Sequence, residues 1–175
     1  MGAVAAGHSH KIPSFNEAPQ NAATEKGKMM TRTLAEILLF TFLAINAALL
    51  IFIAGVLRMV MNDMNESEFK QFVVSLVHHS KKSPFMLTVL NIPFLGAIPY
   101  FYFYRFANRW LLAGLTLWLV AGALGKTMKL PIYRAMEIGD TTKLKQERHK
   151  LNAGNMIQAI LNSLAVVLAF VPFVR

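Results

Sequence analysis

The chain contains no cysteine, which removes disulfides, thiolate metal ligation and thiol catalysis from consideration. It also lacks any recognisable metal, nucleophile or phosphate-binding motif, so function has to be read from isolated polar residues and their placement. Charge is missing from four long apolar stretches, 37–57, 84–104, 110–125 and 156–174. At about 1.5 Å of rise per residue the three longest cross a hydrocarbon layer of about 30 Å as helices, and the third does so if it continues to about residue 130. Residues 1–33 hold no apolar run resembling a secretory signal core, so the first helix is expected to be the insertion signal. No internal repeat is visible and no charge stands at mid-membrane depth, which weighs against a transporter.

What is present fits that class. Hydrophobic residues make up 55% of 175 residues, too many for a soluble core of this size. The expected fold is an all-α membrane protein, a four-transmembrane-helix bundle with an interfacial amphipathic helix in the first loop. Spans are expected at about 34–58, 84–105, 109–130 and 154–174, within one membrane domain of 34–175. The polar tail 1–33 is read as flexible or bound to a protein partner. Ala6 stands where a myristoylation signal wants Ser or Thr, and His8 and His10 read as solvated, so no metal site is expected. The net charge of +9 lies outside the apolar runs, where anionic lipid headgroups attract it; nucleic acid is not an expected partner.

Orientation signals conflict. Tail, second loop and C-terminus carry seven Lys and Arg, against eleven in the first and third loops, which favours the latter pair inside. Around the first helix alone the balance is reversed.

Several local patterns carry structure. Glu36 follows Arg32 by four residues, an interfacial ion pair on one helix face. Asn65 with Glu66 and Glu68 opens a helix whose Phe69, Phe72, Val73, Leu76 and Val77 form one apolar stripe, as for a helix lying on the membrane surface. Pro93 and Pro99 interrupt hydrogen bonding in the second span and should kink it. The aromatic run from Tyr100 to Phe106, with Arg105 and Arg109, reads as an interfacial belt ending in a tight hairpin. Ala121 and Gly125 form a small-xxx-small pair for close helix contact. Pro131 is expected in the first turn of a new helix.

Polarity is organised at one end of the bundle. Asn152, Asn155, Gln158 and Asn162 recur at spacings of three, three and four, a stripe down one face of the fourth span. Asn162 and Asn91 should lie at similar depths, about 9 and 10.5 Å from the same side, close enough to hydrogen-bond. Lys126 and Lys129 converge there. Such a network either holds helices together or lines a pocket for an anionic or quinone-like aromatic molecule.

The acid-and-Phe segment Asn65-Glu66-Ser67-Glu68-Phe69, the Pro84 start of the second span, the turn Thr127-Met128-Lys129-Leu130-Pro131-Ile132-Tyr133 and the stretch Arg148-His149-Lys150-Leu151-Asn152 carry a resemblance. Over about 34–174 the chain resembles the anthrone oxygenase-like four-helix membrane proteins of bacteria and fungi. That family often has Asn two residues before and after the proline, where this chain has Lys129 and Tyr133, and Trp where it has His149 and Leu151. The resemblance implies oxidation of anthrones to anthraquinones by dioxygen, with no metal or organic cofactor. Such chemistry needs a base, for which His149 or Glu137 is the candidate, and cations for the enolate oxygen, for which Lys126, Lys129 and Arg134 are candidates. Binding candidates are Asn91, Lys126, Lys129, Arg134, Asn155, Gln158 and Asn162. A different class, a non-catalytic accessory subunit of a larger membrane complex such as a respiratory assembly, also suits a small, basic, Met-rich chain.

Overall fold

Long uncharged runs of good helix formers can satisfy every backbone polar group internally, and they do so here as continuous helices. The structure, a computed structural model, describes residues 17–105, 107–138 and 144–174. Helix α1 (Glu17–Phe52) passes through a π-helical turn (Ile53–Leu57) into α2 (Arg58–Asp63); α3 (Glu66–Lys82), α4 (Pro84–Tyr104), α5 (Arg109–Ile138) and α6 (Leu144–Val174) follow. No strand occurs among the described residues. Among the described residues four helical segments are long and apolar enough to cross a membrane: the α1–α2 rod, α4, α5 and α6. The protein is an all-α, four-span membrane bundle. Helix α1 begins inside the stretch read as tail, whereas His8 and His10 lie outside the described residues.

The spans form a row rather than a closed square. Helix α4 packs on α1, α1 on α6, and α6 on α5, the last being the most extensive pairing. Small residues set that pairing: a Cβ on Gly114 would stand 2.6 Å from the Ala165 carbonyl oxygen and 3.1 Å from the Ala169 Cβ. Ala121 is fully buried on the same helix, and Gly125 leaves room for the Gln158 side chain. Gly122 has open space beside it, with no neighbouring atom within 4 Å of where a Cβ would stand. Helices α4 and α5 are the two ends of the row, and they meet near their short connection. There Leu39, Leu43, Tyr100, Leu111, Leu115 and Ala169 make one apolar cluster.

Proline organises the α1–α4 contact. Pro93 has no N–H, so the Val89 carbonyl four residues earlier has no partner within α4. The buried Asn46 of α1 supplies one: its Nδ2 donates to Val89 O at 2.7 Å and to Phe42 O at 2.9 Å. The helix accordingly runs through both Pro93 and Pro99 without a break. Pro131 does not start a new helix as expected but lies inside α5, on its exposed side. Burial of Ile132 and Met136 in the core at that end keeps the helix continuous against the loss of one backbone bond, about 3 kcal/mol.

At the end where the first and third loops lie, α3 starts with a complete capping box between Asn65 and Glu68. Its apolar stripe turns onto the protein: Phe69 and Val73 are buried with Met61, Ile132, Met136, Leu144 and Leu151. A helix expected to lay that stripe on lipid thus covers the end of the bundle, because α2 and the α5–α6 hairpin reach far enough to bury it. Arg148 fastens the joint. Its guanidinium lies 4.4 Å from the Phe69 ring centroid and donates at 3.4 Å to the carbonyls of Asn62 and Asn65, where α2 ends.

The opposite end is held by a buried acid. Glu36 accepts from Arg32 Nε at 2.9 Å, as its spacing suggests, and from the Tyr100 hydroxyl at 2.5 Å. One turn on, Tyr104 donates to Thr31 Oγ1 at 3.0 Å.

Candidate functional site

The open seam of the row becomes a cleft. Held on α1 by Asn46 and Val89, α4 stands away from α5 over the half of the bundle nearest the first and third loops. A cavity of about 580 Å³ lies between them. Leu90 of α4 faces Trp118, Leu119, Gly122 and Ala123 of α5 across it, while Asn46 and Leu50 of α1 and Gln158 and Asn162 of α6 form its back. Most of this surface is apolar. Its polar end gathers Lys81 from α3, Lys126, Lys129 and Tyr133 from α5, and Gln158 from α6.

Lys129 is the organising group. Its side chain is half-buried, and Nζ donates to Asn155 Oδ1 at 3.1 Å and to Gln158 Oε1. The absence of a side chain at Gly125 is what lets Gln158 occupy this position, since a Cβ there would overlap it. An ammonium has three donors. Two amide oxygens take two of them, which leaves the third for a group in the cleft. No carboxylate pairs with Lys129 among the described residues, and no Asp or Glu lines the cavity. A second cavity of about 400 Å³ lies on the other side of the same residues, between the π-helical turn, α3 and α6. The two cavities share Val77, Lys129 and Tyr133 as their common wall.

The α6 stripe lies on one inward face: Asn152, Asn155 and Asn162 are buried and Gln158 half-buried. Asn152 departs from the cleft to donate to Asn62 Oδ1 at 3.1 Å. Asn162 lines the cleft, with its Nδ2 on the Gln158 carbonyl at 2.8 Å. Asn91 does not meet it. That residue is exposed and donates to Leu87 O of its own helix at 2.7 Å. Val89 faces α1, and two residues further on a helix points about 200° away, so similar depth does not bring Asn91 inward.

The acid–base candidates are dispersed. His149 is exposed and lines neither cavity; Glu137 is exposed and pairs with Lys81 at 3.8 Å; Arg134 is exposed and lines neither cavity. Lys126 is exposed at the mouth of the cleft. The spacing of Lys126, Lys129 and Tyr133, three then four, marks one helix face and signals their shared wall in the sequence. Lys81 and Trp118 carry no such signal.

No protein-family model matches the chain, and neither a curated protein nor a solved structure matches it.

Proposed function

We propose that this membrane protein binds a hydrophobic aromatic, quinone-like small molecule in the cleft between α4 and α5. The observation that carries the reading is Lys129, a cation inside an apolar cleft whose acceptors are two amide oxygens rather than a carboxylate. The flat Trp118 ring and the Leu-rich walls suit an aromatic body, and Lys129 with Tyr133 suits a polar ring oxygen. The resemblance to the anthrone oxygenase-like proteins supports the same ligand class. Dispersal of His149 and Glu137 supports binding over the acid–base role sketched for them. Anionic headgroups around the basic loops are part of this reading of the protein in its bilayer.

Trp118 provides the test. Full-length protein carrying Trp110→Phe, so that Trp118 is the one remaining indole, is titrated in lipid nanodiscs with short-tailed quinones. Saturable quenching, weakened at least fivefold by Gln158→Leu, is expected. Linear quenching indistinguishable from free indole overturns the proposal.

The accessory-subunit reading has one observation of its own. Thr31 stands opposite Tyr104, the last residue of α4, and α1 extends about 20 Å from there back to Glu17. Met29 and Met30 are 66% and 76% exposed on it, as a partner-binding rod would have them. A native gel of a mild-detergent extract checks this: a discrete large complex supports it, a monomer or small homo-oligomer removes it.

A further inference from the structure

The cleft is open along the bilayer as well as at its polar end. Leu90 and Leu119, which face each other across the seam, are 46% and 49% exposed, and both belong to helix surfaces that meet lipid. A solute dissolved in the hydrocarbon layer therefore meets the cavity sideways, with no loop or helix among the described residues to displace. Its apolar body stays at the depth it already occupies.

The polar end discriminates by charge. Lys81, Lys126 and Lys129 face the cavity with no carboxylate among its lining residues, and the one ion pair they make among the described residues, Lys81 with Glu137, is long at 3.8 Å and exposed. A cation held in a low-dielectric site is strongly favoured by a counter-charge brought close to it. Lys129 is also fixed in direction by Asn155 and Gln158, so little side-chain order is lost when its remaining donor is used. A neutral carbonyl would satisfy the hydrogen bond and leave the charge uncompensated.

Building on the proposed cleft-binding function, we infer that the ligand is a membrane-dissolved amphiphile with a single oxyanion head, which enters between α4 and α5 and seats that head on Lys129. A fatty carboxylate and an ionised hydroxyquinone share this chemistry. The recognised feature is the oxyanion with an apolar body behind it, and the body decides between the two sources.

The experiment uses the Trp110→Phe protein in nanodiscs of zwitterionic lipid at neutral pH, read by Trp118 fluorescence. Four probes are titrated: a bromine-labelled fatty acid, its methyl ester, an alkyl-substituted 2-hydroxynaphthoquinone, and the methyl ether of that quinone. At least one anion is expected to bind tenfold or more tightly than its neutral partner, and the tighter of the two anions names the source. Lys129→Met should bring that ratio close to one, because it weakens the anion at least tenfold more than its neutral partner. Gly122→Phe fills the seam from a position where a Cβ meets nothing, and should weaken the preferred anion at least fivefold. If no probe quenches saturably, the cleft reading itself fails. If acid and neutral partner bind alike, or the preference survives Lys129→Met, the cleft stands and the oxyanion inference is overturned. Unchanged binding in Gly122→Phe overturns the placement of the ligand's apolar body in the seam between α4 and α5.

Discussion

Asn46 gives the Val89 carbonyl the proton that Pro93 cannot, 2.7 Å away on a neighbouring helix. The proline thus creates an acceptor inside the membrane, and the amide turns it into a helix contact. Replacing Asn46 by Leu should destabilise the bundle by about 1 kcal/mol. In a Pro93→Ala background, where the backbone N–H returns, the same change should cost clearly less. A double-mutant cycle of unfolding in mixed detergent micelles measures the coupling, and strict additivity would contradict the contact.

The α5–α6 pair tolerates no added volume at one glycine and a little at another. Gly114→Val drives a side chain against the Ala165 backbone, so a loss of about 2 kcal/mol or more is expected, seen as a lower melting temperature in detergent. Gly125→Ala meets only the movable end of Gln158. It should leave melting nearly unchanged and weaken cleft binding by displacing an acceptor from Lys129.

Phe69 is fully buried beneath α3 and lies under the Arg148 guanidinium. Phe69→Ala should cost about 3–4 kcal/mol locally. Because α3 covers one end without spanning, hydrogen exchange should rise across Glu66–Lys82 while α4 to α6 keep their protection. Uniform loss of protection in all helices would show that the cap and the bundle unfold as one.

At the other end Tyr100→Phe removes a hydrogen bond to a buried carboxylate, and a loss of about 1.5–3 kcal/mol is expected. Glu36→Gln keeps an acceptor for the tyrosine and should cost less than Glu36→Ala. Equal effects of Gln and Ala, read by thermal melting, would remove the hydrogen bond as the explanation.

The spans are legible in sequence because uncharged length is itself the physical cause of insertion. The α6 stripe and the capping box of α3 are legible for a similar reason: each is a contact of one helix with itself or a periodic marking on it. Asn91 shows where such reading ends. Helix α4 is apolar all round, so nothing in its own pattern distinguishes the face toward α1 from the face toward lipid. That choice is made by Asn46, forty-three residues before Val89: Pro93 marks the freed carbonyl, but nothing in α4 marks the helix that will supply its donor. Lys81 reaches the cleft only because α3 turns its stripe inward, which depends on the lengths of α2, α5 and α6 together.

The row order of the spans, α4–α1–α6–α5, has a consequence for how the molecule is made. Synthesis delivers α1 and α4 first, and their proline–amide contact can form while the rest of the chain is still being translated. Lys129 arrives next, in a helix whose two acceptors for it have not yet been synthesised. Only when α6 inserts do Asn155 and Gln158 reach that ammonium. A chain truncated after its third span therefore carries the Lys129 ammonium without the two amide oxygens that accept from it.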